Sequence, residues 1–555
     1  MSHYYITTPI YYVNDRPHIG HAYTSVACDV LARFKRLSGE NVRFLTGTDE
    51  HGQKVEKSAA AQGISPQAMA DANSQHFRDM AQLMNISNDD FIRTTEPRHK
   101  KAAQALWKKM ADQGFITLGS YAGWYAVRDE AYYAESELVN GKAPTGADVE
   151  WVEEPSYFFT LSEFQDKLLA FYEANPGFIQ PDSRRNEIIS FVKGGLRDLS
   201  ISRTTFSWGI PVPITSPNRG EGVHIMYVWL DALTNYLSAL GYPENTPEMA
   251  FWPASLHMVG KDIIRFHAVY WPAFLMAADL PLPKQVFAHG WWTIEGEKMS
   301  KSLGNAIAPA DLVAEFGLDQ TRWFLMREVP FGNDGNFSRE RMITVINSEL
   351  ANNIGNLCQR TLSMIAKNCD GKVPNWSKSW GSNPDDIKKA VERALALPLG
   401  EYAKLTKEET AKLESLAQLY DSGGVSASAV GIRGIDFETI ADQVSHCQFD
   451  KYLGNIIKWS SEANEYIDKY APWTFKKESK LEEMEAVLFS LAESIRKIAI
   501  LLWPVIPTSA AKILDQLAVP PAERGFKHLS AEFALKPGTP LPPPSGVFPR
   551  VGGAV

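Results

Sequence analysis

Two short segments of this chain carry residue types suited to phosphate chemistry. His18-Ile19-Gly20-His21 has the H-x-G-H form, and Lys298-Met299-Ser300-Lys301-Ser302 is a basic, serine-bearing loop. Imidazole groups can donate to phosphate oxygens and stabilise charge building on an α-phosphate, and a glycine between them lets a bulky ligand approach the backbone. Two ammonium groups can neutralise the β- and γ-phosphates as pyrophosphate leaves. Loop closure would supply that charge only when the nucleotide is bound. A lone histidine is more often structural, and a Lys/Ser loop is more often merely solvated. The two motifs together, in this order, favour ATP chemistry at the α-phosphate.

The elements that must hold these residues are legible around them. Residues 4–8 are β-rich, 14–17 read as a loop, and 42–46 as a second strand. Between them Ala22, Val26, Val30, Phe34 and Leu37 recur every three or four positions, which predicts a helix running to about Ser38. Pro17 near its start and Gly39 just past its end punctuate it. This is the opening of a parallel α/β sheet. His18 to His21 fall in the first helical turn, beyond the carboxyl end of the first strand. Open α/β sheets bind ligands there, and a helix N-terminus favours phosphate. Residues 114–227 read as an insertion, with an aromatic stretch that includes Tyr121, Trp124, Tyr125, Tyr132 and Tyr133. The α/β pattern resumes at 225–230, 257–259 and 286–289. From 346 onward helical periodicity dominates, clearest over 347–365, 449–470 and 484–502. Stretches 375–384 and 422–428 read as loops, and 385–436 has no functional reading.

Bulk properties bound the possibilities. The 555 residues suggest roughly three to five domains, and a hydrophobic content of 45% is ordinary for a globular protein. A formal net charge of −9 argues against a generally basic nucleic-acid coat, although a local basic stripe suffices for an RNA surface. Four cysteines (Cys28, Cys358, Cys369, Cys447) show no C-x-x-C spacing, which fits a reducing cytoplasm without disulfides or a thiolate zinc site. No signal peptide is read at the N-terminus. The apolar run at 498–507 is too short to span a bilayer, so a cytoplasmic protein with no membrane association is expected.

The chain resembles the class I methionyl-tRNA synthetases over nearly all its length. The motifs, in order, are Thr8-Pro9-Ile10-Tyr11-Tyr12-Val13-Asn14, His18–His21, Gly47-Thr48-Asp49-Glu50-His51-Gly52, Tyr227-Val228-Trp229-Leu230-Asp231-Ala232, Val259-Gly260-Lys261-Asp262-Ile263, Lys298–Ser302 and Ala471-Pro472-Trp473. The resemblance implies an α/β fold: a Rossmann-like parallel-sheet catalytic domain (1–113 and 228–290) with an inserted α+β connective domain (114–227). It implies a region carrying the Lys298 loop and contacting the tRNA stem (291–345), and an all-α helical-bundle anticodon-binding domain (346–535). A Pro/Gly-rich tail (536–555) is expected to be extended. The implied activity is methionine–tRNA ligation. Methionine and ATP, with Mg²⁺, give methionyl-adenylate and pyrophosphate, and the methionyl group passes to initiator and elongator tRNA(Met).

The resemblance also assigns residues. His18, His21, Lys298 and Lys301 are the implied catalytic set, with Lys301 the main transition-state contact. Gly20, Gly260 and Asp262 join them around ATP, Gly260 and Asp262 at the ribose. Ile10, Tyr12, Trp229, Ala232, Leu233, Tyr236, Ile263 and His267 surround methionine, whose unbranched, polarizable side chain suits aromatic walls. Asp49 holds the substrate ammonium. Asn356 and Arg360, one turn apart on a helix, and Trp473 contact the CAU anticodon, as an aromatic face with Asn and Arg can read unstacked bases. Trp229, Ala232 and Leu233 would otherwise read as ordinary core.

One departure stands out. Many relatives carry paired cysteines for zinc soon after the Gly-Trp-Tyr segment; here Gly123-Trp124-Tyr125 leads into Ala126-Val127-Arg128-Asp129, and no Cys lies between 29 and 357. No structural zinc is expected, and aromatic packing is expected in its place. The appended RNA-binding dimerisation module of some relatives has no room, so a monomer is expected. Three alternatives compete. Other class I synthetases carry a larger editing insertion, or zinc at a cysteine site. A non-catalytic tRNA-binding paralogue would be expected to lose His18, His21 or Lys301. A small-molecule adenylyltransferase would leave the helical part and Trp473 unexplained.

Overall fold

The computed structural model describes residues 2–14, 16–128, 131–133, 135–213, 223–294, 297–298, 306–375 and 437–552. Residues 376–384 of the expected loop 375–384, the expected loop 422–428, the 385–436 stretch, and residues 299–305 lie outside the described residues.

The central sheet is parallel. Its first half comprises β1 (His3–Thr7), β2 (Tyr11–Tyr12), β3 (Asn41–Asp49) and β4 (Asp90–Arg93). Leu45 of β3 pairs with Thr7 and with Asp90, so β1 and β4 flank β3 on opposite edges. Thr48 pairs with Tyr11 and with Arg93, so β2 continues along the edge of β1. The inner part of β3 is buried on both faces, as a strand covered by helices on each side must be.

The chain then leaves this sheet. β5 (Ile116–Ala126), β6 (Ala131–Tyr133) and β7 (Glu150–Phe159) form an antiparallel outer sheet. β8 (Ile179–Gln180) does not join it. It returns to the main sheet, and only then does β9 (Leu199–Ser200) pair with β7. A short ribbon, β10 (Ser202–Arg203) with β11 (Ile225–Met226), follows. β12 (Leu256–Gly260) and β13 (Val286–His289) complete the main sheet, which runs β4-β3-β1-β12-β13-β8. The span expected as an insertion thus supplies an edge strand, covering backbone groups that β13 would otherwise expose. Its helices share one core with the sheet: Leu168, Tyr172, Ile188 and Val192 cluster with Tyr5, Leu45, Val259 and Val286.

Helix α1 (Ile19–Leu37) carries the H-x-G-H residues. It is buried on more than its apolar stripe, with Ser25, Cys28 and Asp29 inside as well as Val26, Val30 and Phe34. The reason is that it lies between the sheet and the helical part. Arg322, fully buried, joins the two sides: it donates to Asp29 Oδ2 (2.6 Å), Met84 O (2.9 Å), Val505 O (2.7 Å) and Pro504 O (3.2 Å). A buried guanidinium needs such a full set of acceptors. Burial, reinforced by the Arg33 charge, outweighs the opposing Asp29 carboxylate, and the Arg322 pKa lies below its ordinary value.

β14 (Trp292–Ile294), β15 (Glu297–Lys298) and β16 (Gly335–Phe337) form a small sheet, and Lys298 pairs with Thr293 at its edge. The helix expected over 347–365 is one rod whose first stretch, Ile346–Gly355, is π-wound before Asn356–Asn368 continues as α-helix. Helices Phe449–Tyr470 and Leu481–Leu502 pack beside it. The segment from Lys536 is extended and docked: Val547 and Phe548 are buried, and Asn347 exchanges hydrogen bonds with Val551 (2.8 and 3.0 Å). No helix among the described residues is long and apolar enough to cross a membrane.

Candidate active site

Neighbouring strands β1 and β12 are followed by connections that run to opposite sides of the sheet. Beyond their carboxyl ends a crevice must open. A cleft of about 960 Å³ lies there. Ile10, Tyr12, His18, Gly20, His21, Asp49, Trp229, Ala232, Leu233, Tyr236, Gly260, Asp262, Ile263 and His267 all line it. These are all the expected cleft residues except the two lysines. The Lys298 side chain and all of Lys301 lie outside the described residues, but Ala306, Ile307 and Ala308, where the chain resumes, also line the cleft. Ile307 O accepts from Ile19 N–H (3.0 Å), which ties the far side of that loop to the start of α1.

The histidine pair is set by the helix start. Gly20 N–H donates to His18 Nδ1, and His18 N–H donates to His21 Nδ1, each at 3.1 Å. Both Nδ1 atoms are therefore acceptors, and each neutral ring carries its proton on Nε2. The ring centroids lie 3.9 Å apart. Burial pushes both pKa values down, partly offset by Asp262 at His18 and reinforced by His18 at His21. Two neutral donors result. Gly20 has a further reason to be glycine: a Cβ there would sit 2.9 Å from His18 Cε1, forcing the ring away. At Gly260 a Cβ would meet Asp262 Oδ1 at 2.6 Å, and Trp291 Nε1 donates to the same oxygen at 3.2 Å.

The apolar chamber lies deeper. Trp229, Ala232, Leu233 and Tyr236 occupy positions i, i+3, i+4 and i+7, one face of the helical run through Val228–Leu233 and Asn235–Ser238. Trp229 stacks on Phe266 at 3.7 Å with planes 6° apart. His267 Nδ1 lies 3.0 Å from Ile263 O, which can only accept, so Nε2 is the acceptor and Tyr236 O–H donates to it at 2.7 Å. Burial holds the His267 pKa at about 4, so this polar pair is neutral. Asp49, buried at the end of β3, supplies a carboxylate at the chamber's edge.

Several residues of the cleft had no expectation attached. His289 ends β13, and its Nε2 lies 2.7 Å from Thr24 Oγ1; both line the cleft. Arg128 and Thr145 reach it from the outer sheet's region, with an Arg128 Nη2 bond to Thr145 O of 2.7 Å. A histidine at the end of a sheet strand was a usable signal for the first; nothing local marks the others.

On the helical part, Asn356, Arg360 and Trp473 converge. Arg360 lies 5.9 Å from the Trp473 ring centroid and donates to Asp468 Oδ1 at 2.5 Å. Asn356 donates to Asn464 Oδ1 at 3.3 Å. Ala471, in the left-handed region at φ 39°, breaks the long helix so that Pro472–Lys477 turns away and leaves Trp473 exposed.

A family model described as tRNA synthetases class I (M) matches residues 4–150 and 145–362, and one described as the anticodon binding domain of methionyl tRNA ligase matches 437–553. The methionine–tRNA ligase of Rickettsia bellii is 57% identical over 549 residues, covering 99% of both chains. The chain belongs to the class I methionyl-tRNA synthetases. Its activity is that of a methionine–tRNA ligase. The Mesorhizobium japonicum methionine–tRNA ligase is 51% identical over 553 residues, covering 99% of this chain and 97% of that one. Among solved structures, the Mycobacterium tuberculosis methionyl-tRNA synthetase in complex with methionyl-adenylate is similar at TM-score 0.86 and 47% identity, covering 99% of this chain and 100% of that one. The apo form of the Mycobacterium enzyme is similar at TM-score 0.80 and 44% identity, covering 100% and 99%.

Proposed function

We propose that the cleft binds methionine and ATP with the residues named above in the following roles. The thioether enters the chamber of Ile10, Tyr12, Trp229, Ala232, Leu233, Tyr236, Ile263 and His267. Asp49 accepts from the ammonium. Gly260 and Asp262 meet the ribose, and Gly20 leaves room for the phosphates. The methionine carboxylate attacks the α-phosphorus in line; the new C–O–P linkage forms as the bond to the β-phosphate oxygen breaks and pyrophosphate departs. The Nε2–H groups of His18 and His21 donate to the developing charge. Lys298 and Lys301 neutralise the leaving pyrophosphate. A hydroxyl of the tRNA terminal adenosine then attacks the acyl carbon and AMP leaves. Positioning and charge stabilisation carry the rate, and no covalent enzyme intermediate is needed.

The observation that carries this reading is the pair of imidazoles whose Nδ1 atoms are both occupied as acceptors, beside a carboxylate and a neutral aromatic chamber. Mg²⁺ would arrive on the ATP phosphates and supply further charge neutralisation. Among the described residues no group of three or more His, Cys, Asp or Glu side chains is arranged to hold a metal, so no step is assigned to it. Packing in place of zinc in the outer sheet is supported by the Trp124–Trp151 pair (5.4 Å) and the buried Ala126, Ala143 and Ala147. Asn356, Arg360 and Trp473 would read the anticodon.

ATP–pyrophosphate exchange tests these assignments. Asp49→Asn is expected to raise the methionine KM about tenfold to a hundredfold, the worth of a hydrogen bond to a charged group, with ATP KM unchanged. Lys301→Ala is expected to slow exchange greatly in a folded enzyme. Near wild-type exchange in Lys301→Ala, or an unaltered methionine KM in Asp49→Asn, would sink the corresponding role.

A further inference from the structure

The two walls of the methionine chamber are tied together behind it. Asp49 stands on one wall, at the end of β3, and Trp229, Ala232 and Leu233 stand on the other, on helix Val228–Leu233. Two residues past Asp49 comes His51. Two residues past Trp229 comes Asp231, about 200° further around the helix and so facing away from the cleft. His51 Nδ1 meets Asp231 Oδ2 at 2.6 Å, and His99 Nε2 meets Asp231 Oδ1 at 2.7 Å. All three side chains are buried, and none lines the cleft. Burial pushes the Asp231 carboxyl up, but the two histidines outweigh it and hold it at about 2. It is therefore ionised and accepts from both rings. His99 also reaches Ser238 Oγ at 2.9 Å, so one imidazole spans two helical turns of the Trp229 wall. Beside His51, Glu50 is gripped by Arg93 (2.6 and 3.0 Å), Thr48 (2.7 Å) and Thr95 (2.5 Å). The backbone bearing Asp49 is thus anchored right up to the crossing point.

A buried ionic link is poor value for stability alone, because well-packed apolar side chains of the same volume often do as well. What it does give is a directional, short, fixed connection. Its His51–Asp231 bond fixes the spacing between the carboxylate for the ammonium and the apolar wall for the thioether, and His99, on helix Pro97–Asp112, braces that wall from behind. We infer that His51, Asp231 and His99 are positioning residues that set the distance from Asp49 to the Trp229 wall, and through it the affinity for methionine, without touching the substrate. The inference rests on the reading of the cleft given above. The ATP side hangs on α1 and on the segment after β12, neither of which the link joins.

Asp231→Ala in the full chain, read by pyrophosphate exchange, is expected to raise the methionine KM about tenfold or more, as a small misplacement of binding groups does, while ATP KM and kcat stay within about threefold. Asp231→Asn keeps the shape and can bond both rings once one histidine changes tautomer, so it is expected to recover most of the loss. A merely structural role would move both KM values and kcat together and would show no such rescue. Either that joint change, or an unaltered methionine KM in folded Asp231→Ala, overturns the inference. If Asp231→Ala does not fold, His51→Ala cuts the bond between the walls, along with an edge contact to Trp208, leaves the His99–Asp231 bond in place, and is judged by the same criterion. A silent Asp49→Asn would instead overturn the cleft assignment itself, so the two failures are distinguishable.

Discussion

In the cleft, Asp49, Tyr236 and His267 are buried, His18 and His21 are half-buried, and the hydrogen bonds of the histidines are internal. His18 and His21 are neutral and capped onto backbone N–H groups, Tyr236 and His267 satisfy each other, and behind the cleft Asp231 lies between two rings. On the helical face the opposite holds. Arg360 is partnered by Asp468, whose side chain is 64% exposed, and Trp473 is 43% exposed. A surface ion pair of this kind is worth little and exchanges its partner easily. The contrast suits the tasks proposed for the two regions. Charge that develops during a reaction is best met by donors already oriented in a dry site, where no solvent must reorganise. A nucleic-acid loop arrives from water as a whole, so its reader needs partners that can be given up and an open ring to stack on.

The largest expected effect lies in the cleft. His21→Ala removes one donor and the acceptor that holds His18 N–H, and exchange is expected to fall about 10²–10³-fold, with tRNA binding by filter retention unchanged. A comparable loss of tRNA binding would erase the distinction between the two regions.

Acidification comes next. His267 has a pKa of about 4 in the fold against an ordinary 6.5, so the unfolded chain binds the proton more readily. Its contribution is complete above 6.5 and is lost as pH falls from 6.5 to about 4, roughly 1.4 kcal/mol per unit and about 3 kcal/mol in all. His21 and His257, also lowered by burial, act in the same sense, whereas Asp231 at about 2 loses its share only below about 3.8. Thermal midpoints between pH 7 and 4 should therefore drop, and His267→Gln should flatten the slope. A flat wild-type profile would contradict the neutral, buried chamber.

Trp473→Ala is expected to weaken tRNA binding by about 1–3 kcal/mol, the worth of stacking one base, with methionine-dependent exchange intact. Raising salt should weaken that binding while leaving exchange far less affected. The smallest effect is Tyr236→Phe, which leaves the His267 Nε2 acceptor without its donor. A stability loss of about 1–2 kcal/mol in urea is expected, with a modest rise in methionine KM. No loss at all would mean that the pair is not buried as tightly as its geometry implies.

Much of this was readable along the chain because it is local. Helix α1 has its apolar spacing, its Pro17 and its Gly39; Phe449–Tyr470 is a single periodic run; and most cleft residues sit in a short motif at a strand or helix end, whereas Leu233, Tyr236 and His267 lie outside those motifs and were implied by the resemblance alone. Other features escaped for a physical reason. β8 is two residues long, too short for any period, and becomes a strand only because β13 offers it an edge. The π-wound stretch Ile346–Gly355 has the same apolar spacing as an α-helix would, and its winding accompanies the Asn353, Asn356 and Asn464 contacts with the neighbouring helix.

Residue chemistry and local order, then, belong to the chain itself: which imidazoles, lysines and aromatics are available, and which turn of which helix carries them. Period and capping depend on neighbours a few residues away, so one dimension suffices for them. The tertiary fold alone decides how far apart the two walls stand and which protonation states survive. The Thr24–His289, His51–Asp231 and His99–Asp231 bonds join residues 265, 180 and 132 positions apart. No local pattern encodes such a distance, and the desolvation that keeps His21 and His267 neutral exists only once the core has closed around them.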